Sequence, residues 1–273
     1  MRTFEGRCVV ITGAAGGLGA ALVHTFCQAG AHVVALDRDA QALQALQRVE
    51  PQRLDGATQS LMTVVCDVTR NESCEAAIAQ AIAHFGGIDV LVNNAGIAHR
   101  SAFADTRVDV LRRVMEVNFF GAVHCTHAAI GSLRARHGLI ITISSVAGFS
   151  PLIGRTGYAA SKHALHGFFD SLRTEVEDDG VGVLMVCPSF IDTGIDRAAL
   201  GADGKPAAQA RKTTGASTPP GAVAEAILVA ARADRHLLLF STTSKAAWWL
   251  SRLWPARYAA IMKRRLRAEI FPE

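Results

Sequence analysis

The sequence predicts an α/β fold in which a doubly wound sheet of seven mostly parallel strands is flanked by helices and followed by a C-terminal helical tail. Short apolar runs alternate with helical stretches along most of the 273 residues, of which half are hydrophobic and only 6% aromatic. Runs that are apolar on both faces are typical of parallel strands that helices cover on both sides of the sheet.

Seven apolar runs are the predicted strands. They span residues 8–12, 32–37, 62–66, 88–93, 139–144, 182–187 and 236–240. The predicted helices span residues 17–29, 39–48, 71–85, 106–135, 157–178 and 219–233. Because crossovers between parallel strands are right-handed, these elements form one Rossmann-type domain over residues 1–240.

Two segments depart from this alternation. Residues 192–218, rich in Gly, Ala, Thr and Pro, follow the sixth strand, at the edge of the sheet where such folds bind ligands. We expect them to form a loop or lid over the ligand. Residues 241–273 contain all three tryptophans and form the C-terminal extension, in which Pro255 separates two short helices because it would break a continuous one.

Positive charge is concentrated in this extension. Between residues 252 and 267 there are six basic residues and no acidic one: Arg252, Arg257, Lys263, Arg264, Arg265 and Arg267. The whole chain has a net charge of +4, but the other residues carry 22 Lys and Arg against 24 Asp and Glu. The body is therefore close to neutral and offers no basic surface for nucleic acid.

Cysteine usage and the N-terminus bear on the compartment. The six cysteines form no Cys-x-x-Cys pair and three of them lie in predicted strands, so we expect reduced thiols and a reducing compartment. No signal peptide precedes the first strand, and no charge-free apolar run reaches the length of about 20 residues that spans a membrane. We expect a cytoplasmic protein, with peripheral contact with a membrane left open.

A glycine-rich turn joins the first strand to the first helix. It reads Gly13-Ala-Ala-Gly16-Gly17-Leu18-Gly19. Glycines let the backbone turn with positive φ and approach a pyrophosphate, to which the helix N-terminus offers N–H groups. The spacing differs from the commoner Gly-x-Gly-x-x-Gly, and a tight turn without a ligand would also use glycine. Between a strand and a helix, however, this turn predicts a dinucleotide site.

Two charged residues at the end of the second strand bear on the choice of dinucleotide. Asp37 can accept hydrogen bonds from the adenosine ribose, and it repels the 2′-phosphate of NADP. Arg38 could instead pair with that phosphate. We give more weight to Asp37, because the glycine turn adds no positive charge, and we expect NAD as the cofactor with NADP as the alternative.

Tyr158 and Lys162 have the spacing of neighbours on one face of a helix. A phenol is a weak base at neutral pH, and a nearby ammonium lowers its pKa. Such a pair can therefore transfer a proton to or from a substrate oxygen. Many surface helices contain this spacing, so the pair alone is a weak signal. It is strengthened by Ser145 and Asn94, which follow the fifth and fourth predicted strands, and by Asn118 in the long central helix.

Taken together, these motifs resemble those of the classical short-chain dehydrogenase/reductase family. The matching elements are the turn 12–19, Asp67-Val68, Asn93-Asn94-Ala95-Gly96, Asn118, Ser145, Tyr158-x-x-x-Lys162, and Pro188 with Thr193. They follow the family's order from residue 7 to about residue 195. One departure is Ser189, where the family usually has glycine, which affects the expected shape of that loop.

The resemblance implies a catalytic set of four residues. Tyr158 would be the general acid/base, and Lys162 would hold the nicotinamide ribose and lower the pKa of Tyr158. Ser145 would hydrogen-bond the substrate oxygen, and Asn118 would hold a water in the proton relay.

The resemblance also implies a set of cofactor-binding residues. Asp67 and Val68 would contact adenine, and Thr193 would reach the nicotinamide carboxamide. The remaining residues expected to line the cofactor are Gly13, Gly16, Gly17, Leu18, Gly19, Asp37, Arg38, Asn94, Ala95, Gly96, Tyr158, Lys162, Pro188 and Ile191.

The expected activity is hydride transfer between NAD(H) and a secondary alcohol or ketone. An NADPH-dependent carbonyl reductase and a non-catalytic NAD-binding or membrane-docking protein are the alternatives. Specificity is expected in residues 97–105, 146–156 and 192–218, whose small and apolar composition points to a lipophilic substrate. The apolar side chains in question are Phe103, Phe149, Leu152, Ile153, Ile195 and Leu200.

Other expected partners are further copies of the chain and a membrane. A homodimer or homotetramer would form through helices 106–135 and 157–178, where the two His-x-x-His pairs at 124/127 and 163/166 are assigned to packing and not to a metal. Residues 245–267 combine apolar stripes with basic residues. They can pack on the subunit or on a neighbouring subunit, shielding the substrate cleft, or they can lie on anionic lipid.

Overall fold

The computed structural model describes residues 1–49, 61–195, 198–207 and 217–270, with side chains to residue 267. Seven strands form one sheet in the order β3-β2-β1-β4-β5-β6-β7, and all neighbouring pairs are parallel. The strands are β1 (Cys8–Thr12), β2 (His32–Asp37), β3 (Leu61–Val65), β4 (Val90–Asn93), β5 (Leu139–Ile143), β6 (Gly182–Cys187) and β7 (Leu237–Leu239). The predicted doubly wound sheet is thus confirmed, with every strand within two residues of its expected bounds.

Helices cover both faces of the sheet. They are α1 (Gly17–Gln28), α2 (Ala40–Val49), α3 (Asn71–Phe85), α4 (Val108–Met115), α5 (Gly121–Ala135), α6 (Thr156–Val176), α7 (Pro220–Arg232), α8 (Thr242–Leu253) and α9 (Pro255–Ile270). Within β1, Val9 and Ile11 face one core, with α1 and α7, while Cys8 and Val10 face the other, with α3, α5 and α6. Because neighbouring strand residues point to opposite faces, strands buried on both sides must be continuously apolar.

The predicted helix over residues 106–135 runs without interruption from Val108 to Ala135, but its middle is not α-helical. A π-helical turn, Glu116–Phe120, separates α4 from α5 and contains Asn118. A Cβ on Gly121, directly after this turn, would come within 2.7 Å of the Val68 side chain, so α5 begins in close contact with the segment after β3. The extra residue of a π turn lets the chain meet that contact without ending the helix.

The C-terminal extension forms the two predicted helices, and it packs on the body. Trp254 joins α8 to α9, and Pro255 is the first residue of α9, where its missing N–H has no helical partner to lose. On α8, the Trp248 ring lies 4.8 Å from that of Phe149, centroid to centroid, and Ser241 Oγ donates to Ser189 Oγ at 3.2 Å. None of the described helices is long and apolar enough to cross a membrane.

Part of the expected loop at 192–218 can be followed along the carboxyl edge of the sheet. Ile191 pairs with Thr218, and Leu200 pairs with both His99 and Pro206. The first bridge joins the two ends of the segment to each other, and the bridge between Leu200 and His99 holds the segment against the loop that follows β4. Residues 196–197 and 208–216 of the expected lid lie outside the described residues.

Candidate active site

The turn after β1 is tied to the end of β4. Gly13 has φ +62°, and a Cβ there would lie 2.8 Å from Ala95 Cα. Thr12 Oγ1 accepts hydrogen bonds from the backbone N–H groups of Asn94 and Ala95, both at 3.0 Å. The Asn94 amide in turn donates to the carbonyls of Thr12 and Gly13, at 2.9 and 3.0 Å. Asn94 thus holds the glycine turn in shape.

The N-terminus of α1 is open to a phosphate. Gly16, its N-cap, has extended backbone and no side chain to cap the helix, and the first turn contains no acidic residue. A Cβ on Gly17 would lie 2.9 Å from Thr193 Cα, so glycine is what allows the loop after β6 to cross the turn. First-turn N–H groups without a capping side chain, beside a positive dipole end, fit the pyrophosphate of a dinucleotide.

Charged side chains of both signs meet at the ends of β2 and β3. Asp37 Oδ2 accepts from the backbone N–H of Ala15 at 3.1 Å, which directs the carboxylate toward the glycine turn. Burial alone would raise the pKa of Asp67, but hydrogen bonds from Thr69 and the charges of Arg38 and Arg70 outweigh it and lower that pKa. Arg38 therefore faces a second carboxylate besides Asp37.

Helix α6 presents Tyr158 and Lys162 one turn apart. Lys162 Nζ lies 5.8 Å from the centroid of the Tyr158 ring and donates to the backbone carbonyl of Ile143, at the end of β5, at 2.8 Å. The side chain is buried, and this burial lowers the pKa of the ammonium to about 8. At neutral pH it is still mainly charged. Ser145 follows β5, and its Oγ accepts from the N–H of Ala147 at 3.2 Å.

Asn118 lies behind this pair. Its Oδ1 accepts from the N–H of Ile97 at 2.7 Å, and its Nδ2 donates to the Ile97 carbonyl at 3.0 Å and to Ser161 Oγ at 2.9 Å. Both amide protons are thus committed to protein atoms. The amide holds the loop after β4 against α6, so the water expected at Asn118 would have to be held by a group other than this side chain's N–H donors.

One cavity of about 830 Å³ unites the glycine turn with these residues. Every expected cofactor-binding residue and three of the four expected catalytic residues line it, Asn118 being the exception. Those that line the cavity are Gly13, Gly16, Gly17, Leu18, Gly19, Asp37, Arg38, Asp67, Val68, Asn94, Ala95, Gly96, Ser145, Tyr158, Lys162, Pro188, Ile191 and Thr193. Residues more than 100 positions apart in sequence therefore share one site.

The substrate end of the cavity differs from the expectation. Of the six apolar side chains expected there, Leu152 and Ile195 line the cavity. Phe149 instead packs on Trp248, Leu200 joins a small core with Val110, and the Phe103 side chain is exposed. Sequence reasoning had no means to tell which side of each loop would face inward.

The rest of that wall comes from the C-terminal helices, which sequence analysis offered as a shield of the substrate cleft without naming site residues in them. The contributing residues of α8 and α9 are Thr243, Ala246, Ala247, Leu250, Tyr258, Ile261, Met262, Arg265 and Leu266. In α9 the sequence does indicate a covered face, because the apolar members are spaced at i, i+3, i+4 and i+8 and therefore lie on one side of the helix. Tyr258 and Leu266 are buried, so the packing interpretation of this stripe is supported.

His99, in the loop that follows β4, is buried on the cavity wall. Thr106 donates its only hydroxyl proton to the Ala102 carbonyl, so Ser101 must donate to Thr106 and accept from His99 Nε2. This chain selects the neutral tautomer with the proton on Nε2. Burial and the charge of Arg155 lower the pKa of His99, in keeping with a neutral ring.

Three of the four paired histidines lie close to polar protein atoms. His124 Nδ1 lies 3.0 Å from the Val68 carbonyl, and His163 Nδ1 lies 2.9 Å from that of Ala159. His166 Nε2 lies 3.6 Å from Cys187 Sγ, and burial lowers the pKa of His166 to about 4. Over the described ranges, no three His, Cys, Asp or Glu side chains come together as a metal site would require.

Comparison with known proteins agrees with this geometry. Residues 7–202 match the family model for short chain dehydrogenases. A Bos taurus dehydrogenase/reductase SDR family member 7B is 38% identical over 265 residues, 96% of this chain and 82% of that protein. An Anopheles gambiae dehydrogenase/reductase SDR family protein 7-like is 37% identical over 270 residues, 97% of this chain and 84% of that one.

Solved structures show the same fold. A short-chain dehydrogenase from Streptomyces avermitilis is 26% identical, with a TM-score of 0.79 and coverage of 96% of this chain and 97% of that one. A short-chain dehydrogenase/reductase from Burkholderia phymatum, in complex with NAD, is 25% identical, with a TM-score of 0.81 and coverage of 92% and 95%. With the family model, the relatives and the dinucleotide cradle in agreement, this chain belongs to the short-chain dehydrogenase/reductase family of oxidoreductases.

Proposed function

We propose that this protein transfers a hydride between NAD(H) and a lipophilic secondary alcohol or ketone, with Tyr158 as the proton-transfer residue. The observation that carries the proposal is the placement of Tyr158, Lys162 and Ser145 in one cavity with the glycine turn at the N-terminus of α1. When bound there, the nicotinamide supplies or receives the hydride.

The chain's own residues manage the proton and the substrate oxygen. In the reductive direction, Tyr158 donates its phenolic proton to the carbonyl oxygen, and Ser145 Oγ hydrogen-bonds the same oxygen as negative charge develops on it. The Lys162 ammonium, held by the Ile143 carbonyl, favours the phenolate that remains on Tyr158. In the oxidative direction the same phenolate accepts the proton. Asn118 acts by fixing the Ile97 backbone beside α6, and a water in the proton relay would lie near it.

A lipophilic substrate suits the apolar lining that this cavity has besides Ser145 and Tyr158. Leu152, Leu250, Tyr258, Met262 and Leu266 supply apolar surface there. A ketone with a long or polycyclic apolar body would bury that body against them, which favours binding in proportion to the area removed from water.

NAD is favoured over NADP at the adenosine end. Asp37 and Asp67 line this end of the cavity together with Arg38, and the charge of Arg38 already interacts with Asp67. A 2′-phosphate would bring further negative charge into this surrounding. An NADPH-dependent carbonyl reductase, the second candidate, requires Arg38 to leave Asp67 and pair with that phosphate.

A non-catalytic NAD-binding or membrane-docking protein is the candidate from another class. It would need the dinucleotide cradle or the tail, but neither role requires the buried ammonium of Lys162 one turn from Tyr158. The presence of this arrangement favours an enzyme.

We also propose that α4–α5 and α6 form the contacts of a homodimer or homotetramer, which the mass of the protein in solution would test.

The experiment is a panel of ketones and alcohols, followed through the absorbance of NADH and NADPH. The Tyr158→Phe variant keeps the ring and removes the proposed proton donor, and we expect its turnover to fall by at least about 10²-fold with NAD binding retained. The matched control is Tyr258→Phe, since Tyr258 is the only other tyrosine and lines the same cavity. Equal turnover by both variants would refute the mechanism, and no turnover by the unmodified protein on any member of a broad panel would favour the non-catalytic candidate.

A further inference from the structure

The outer side of the C-terminal helices exposes large apolar side chains. Trp249 and Leu253, one turn apart on α8, are 62% and 57% exposed, and Trp254, which joins α8 to α9, is 52% exposed. None of the three lines the cavity, so their exposure is not explained by substrate binding. Large apolar side chains that are exposed together in a short segment mark a surface that binds a partner or a membrane.

The two helices that expose this apolar surface also carry exposed basic residues. Arg257, Arg264 and Arg267 are exposed, and at 100° per residue they lie on the side of α9 opposite Tyr258 and Met262. Arg252 and Lys263 are exposed as well, and no acidic residue interrupts the run from 252 to 267. The two helices thus combine exposed tryptophan with a local excess of positive charge on an otherwise near-neutral chain.

The same helices connect this outer surface to the cavity. Ile261 lines the cavity and is also 39% exposed. Arg265 also lines the cavity and is exposed. These two residues therefore form part of the rim. A molecule leaving an apolar phase at the outer surface would meet the rim before it met Tyr158.

We propose that α8 and α9 dock on an anionic lipid bilayer, with Trp249, Leu253 and Trp254 inserted at the headgroup level and the basic residues above them. This inference rests on the proposed function in one respect: the docked face would place the rim of the cavity at the bilayer, so that a lipophilic ketone or alcohol enters from lipid. Tryptophan at the interface and Lys/Arg facing anionic headgroups is the arrangement that binds such surfaces.

Charge decides between lipid and a second copy of the chain as the occupant. A symmetric dimer through this face would bring the two basic clusters together, since both subunits use the same patch. Juxtaposed like charges oppose that contact, whereas an anionic bilayer neutralises them.

The test is co-sedimentation of the full-length protein with vesicles of phosphatidylcholine alone or mixed with phosphatidylglycerol, at low and high salt. We expect binding only to the anionic vesicles, weakened by salt. Deletion of the tail is unsuitable because α8 and α9 also close the cavity. Point variants at residues outside the cavity avoid this difficulty.

Two variants and two matched controls separate the apolar and electrostatic contributions. We expect the double variant Trp249→Ser/Leu253→Ser and the triple variant Arg257→Gln/Arg264→Gln/Arg267→Gln each to lower vesicle binding by about tenfold or more. The apolar control is Val65→Ser/Val229→Ser, at exposed positions on β3 and α7. The charge control is Arg48→Gln/Arg232→Gln/Arg235→Gln, which changes the net charge equally at exposed positions elsewhere.

The outcomes distinguish docking from the function it serves. Binding lost in the tail variants but not in the controls, with turnover on a water-soluble ketone unchanged, supports the proposal. Absence of binding by the unmodified protein, or equal losses in variants and controls, overturns docking while leaving the enzymatic proposal intact. A fall in oligomeric state of Trp249→Ser/Leu253→Ser in light scattering, without vesicle binding by the unmodified protein, would assign the face to a second copy and also overturn it.

Discussion

The buried ammonium of Lys162 makes the stability of the protein depend on pH in a window that can be stated in advance. Burial lowers the pKa of Lys162 from 10.5 in the unfolded chain to about 8 in the folded one. Between these values the unfolded chain binds a proton that the folded chain does not bind, so the free energy of unfolding rises with pH. Below about pH 8 both states are protonated and this contribution is constant. Across the whole window it amounts to about 3 kcal/mol, at about 1.4 kcal/mol per pH unit.

The perturbation is Lys162→Met, which keeps the length and removes the titrating group. Both proteins carry Tyr158→Phe, so that the titration of Tyr158 does not enter. Cys8, Cys74 and Cys187 oppose the effect, because burial or hydrogen bonding raises each pKa to about 12 and stability is lost as their unfolded thiols ionise above pH 9. That loss is common to both proteins and cancels in the difference.

The assay is urea unfolding of the cofactor-free proteins at several pH values from about 7 to about 10. Loss of the hydrogen bond to Ile143 shifts the Lys162→Met curve by a constant amount, so only the change in the difference with pH matters. We expect the protein with Lys162 to gain about 2 to 3 kcal/mol relative to the methionine variant by about pH 10. Parallel stability curves, with a change of less than about 1 kcal/mol, would refute a buried ammonium with a lowered pKa.

Three further predictions concern the two ends of the cavity. Asp37→Ser should narrow the preference for NAD over NADP in kcat/KM, by about tenfold, because a repelling carboxylate is removed while Arg38 remains; a preference for NADP in the unmodified enzyme would contradict the assignment. Gly17→Ala should raise the KM for NAD by about tenfold or more, since its Cβ would lie 2.9 Å from Thr193 Cα, whereas Gly131→Ala, with nothing within 4 Å, should leave that KM unchanged. Met262→Trp should fill the substrate end, so that KM rises for bulky ketones but not for small ones; an equal change for both would place Met262 away from bound substrate.

Much of the fold was predictable because its signals are local. Each parallel strand is covered on both faces, so its residues are continuously apolar, and a run such as that of β1 can be recognised without knowledge of its neighbours. The glycine turn and the Tyr158–Lys162 pair are local in the same sense, since a strand-to-helix turn and a helical i, i+4 spacing each lie within a few residues.

The π turn in the central helix was not predictable in this way. The π turn that holds Asn118 is followed by Gly121, which lies against Val68, and these two residues are more than 50 positions apart. Nothing within the helical sequence itself marks the extra residue, because the constraint comes from the segment after β3. The commitment of the Asn118 amide to Ile97 and Ser161 is likewise a contact between distant segments.

The clearest division between sequence and structure lies in the C-terminal extension. Its composition and the position of Pro255 predicted two amphipathic helices, and the apolar stripe of α9 showed that one face would be covered. Only the tertiary structure showed that this face, through Tyr258, Met262 and Leu266, closes the cavity beside Tyr158, while Trp249 and Leu253 of α8 remain outside. Helical periodicity is set by residues one turn apart, but the surface that a stripe covers depends on where α8 docks, and that is decided by contacts such as Trp248 with Phe149, about 100 residues away in the chain.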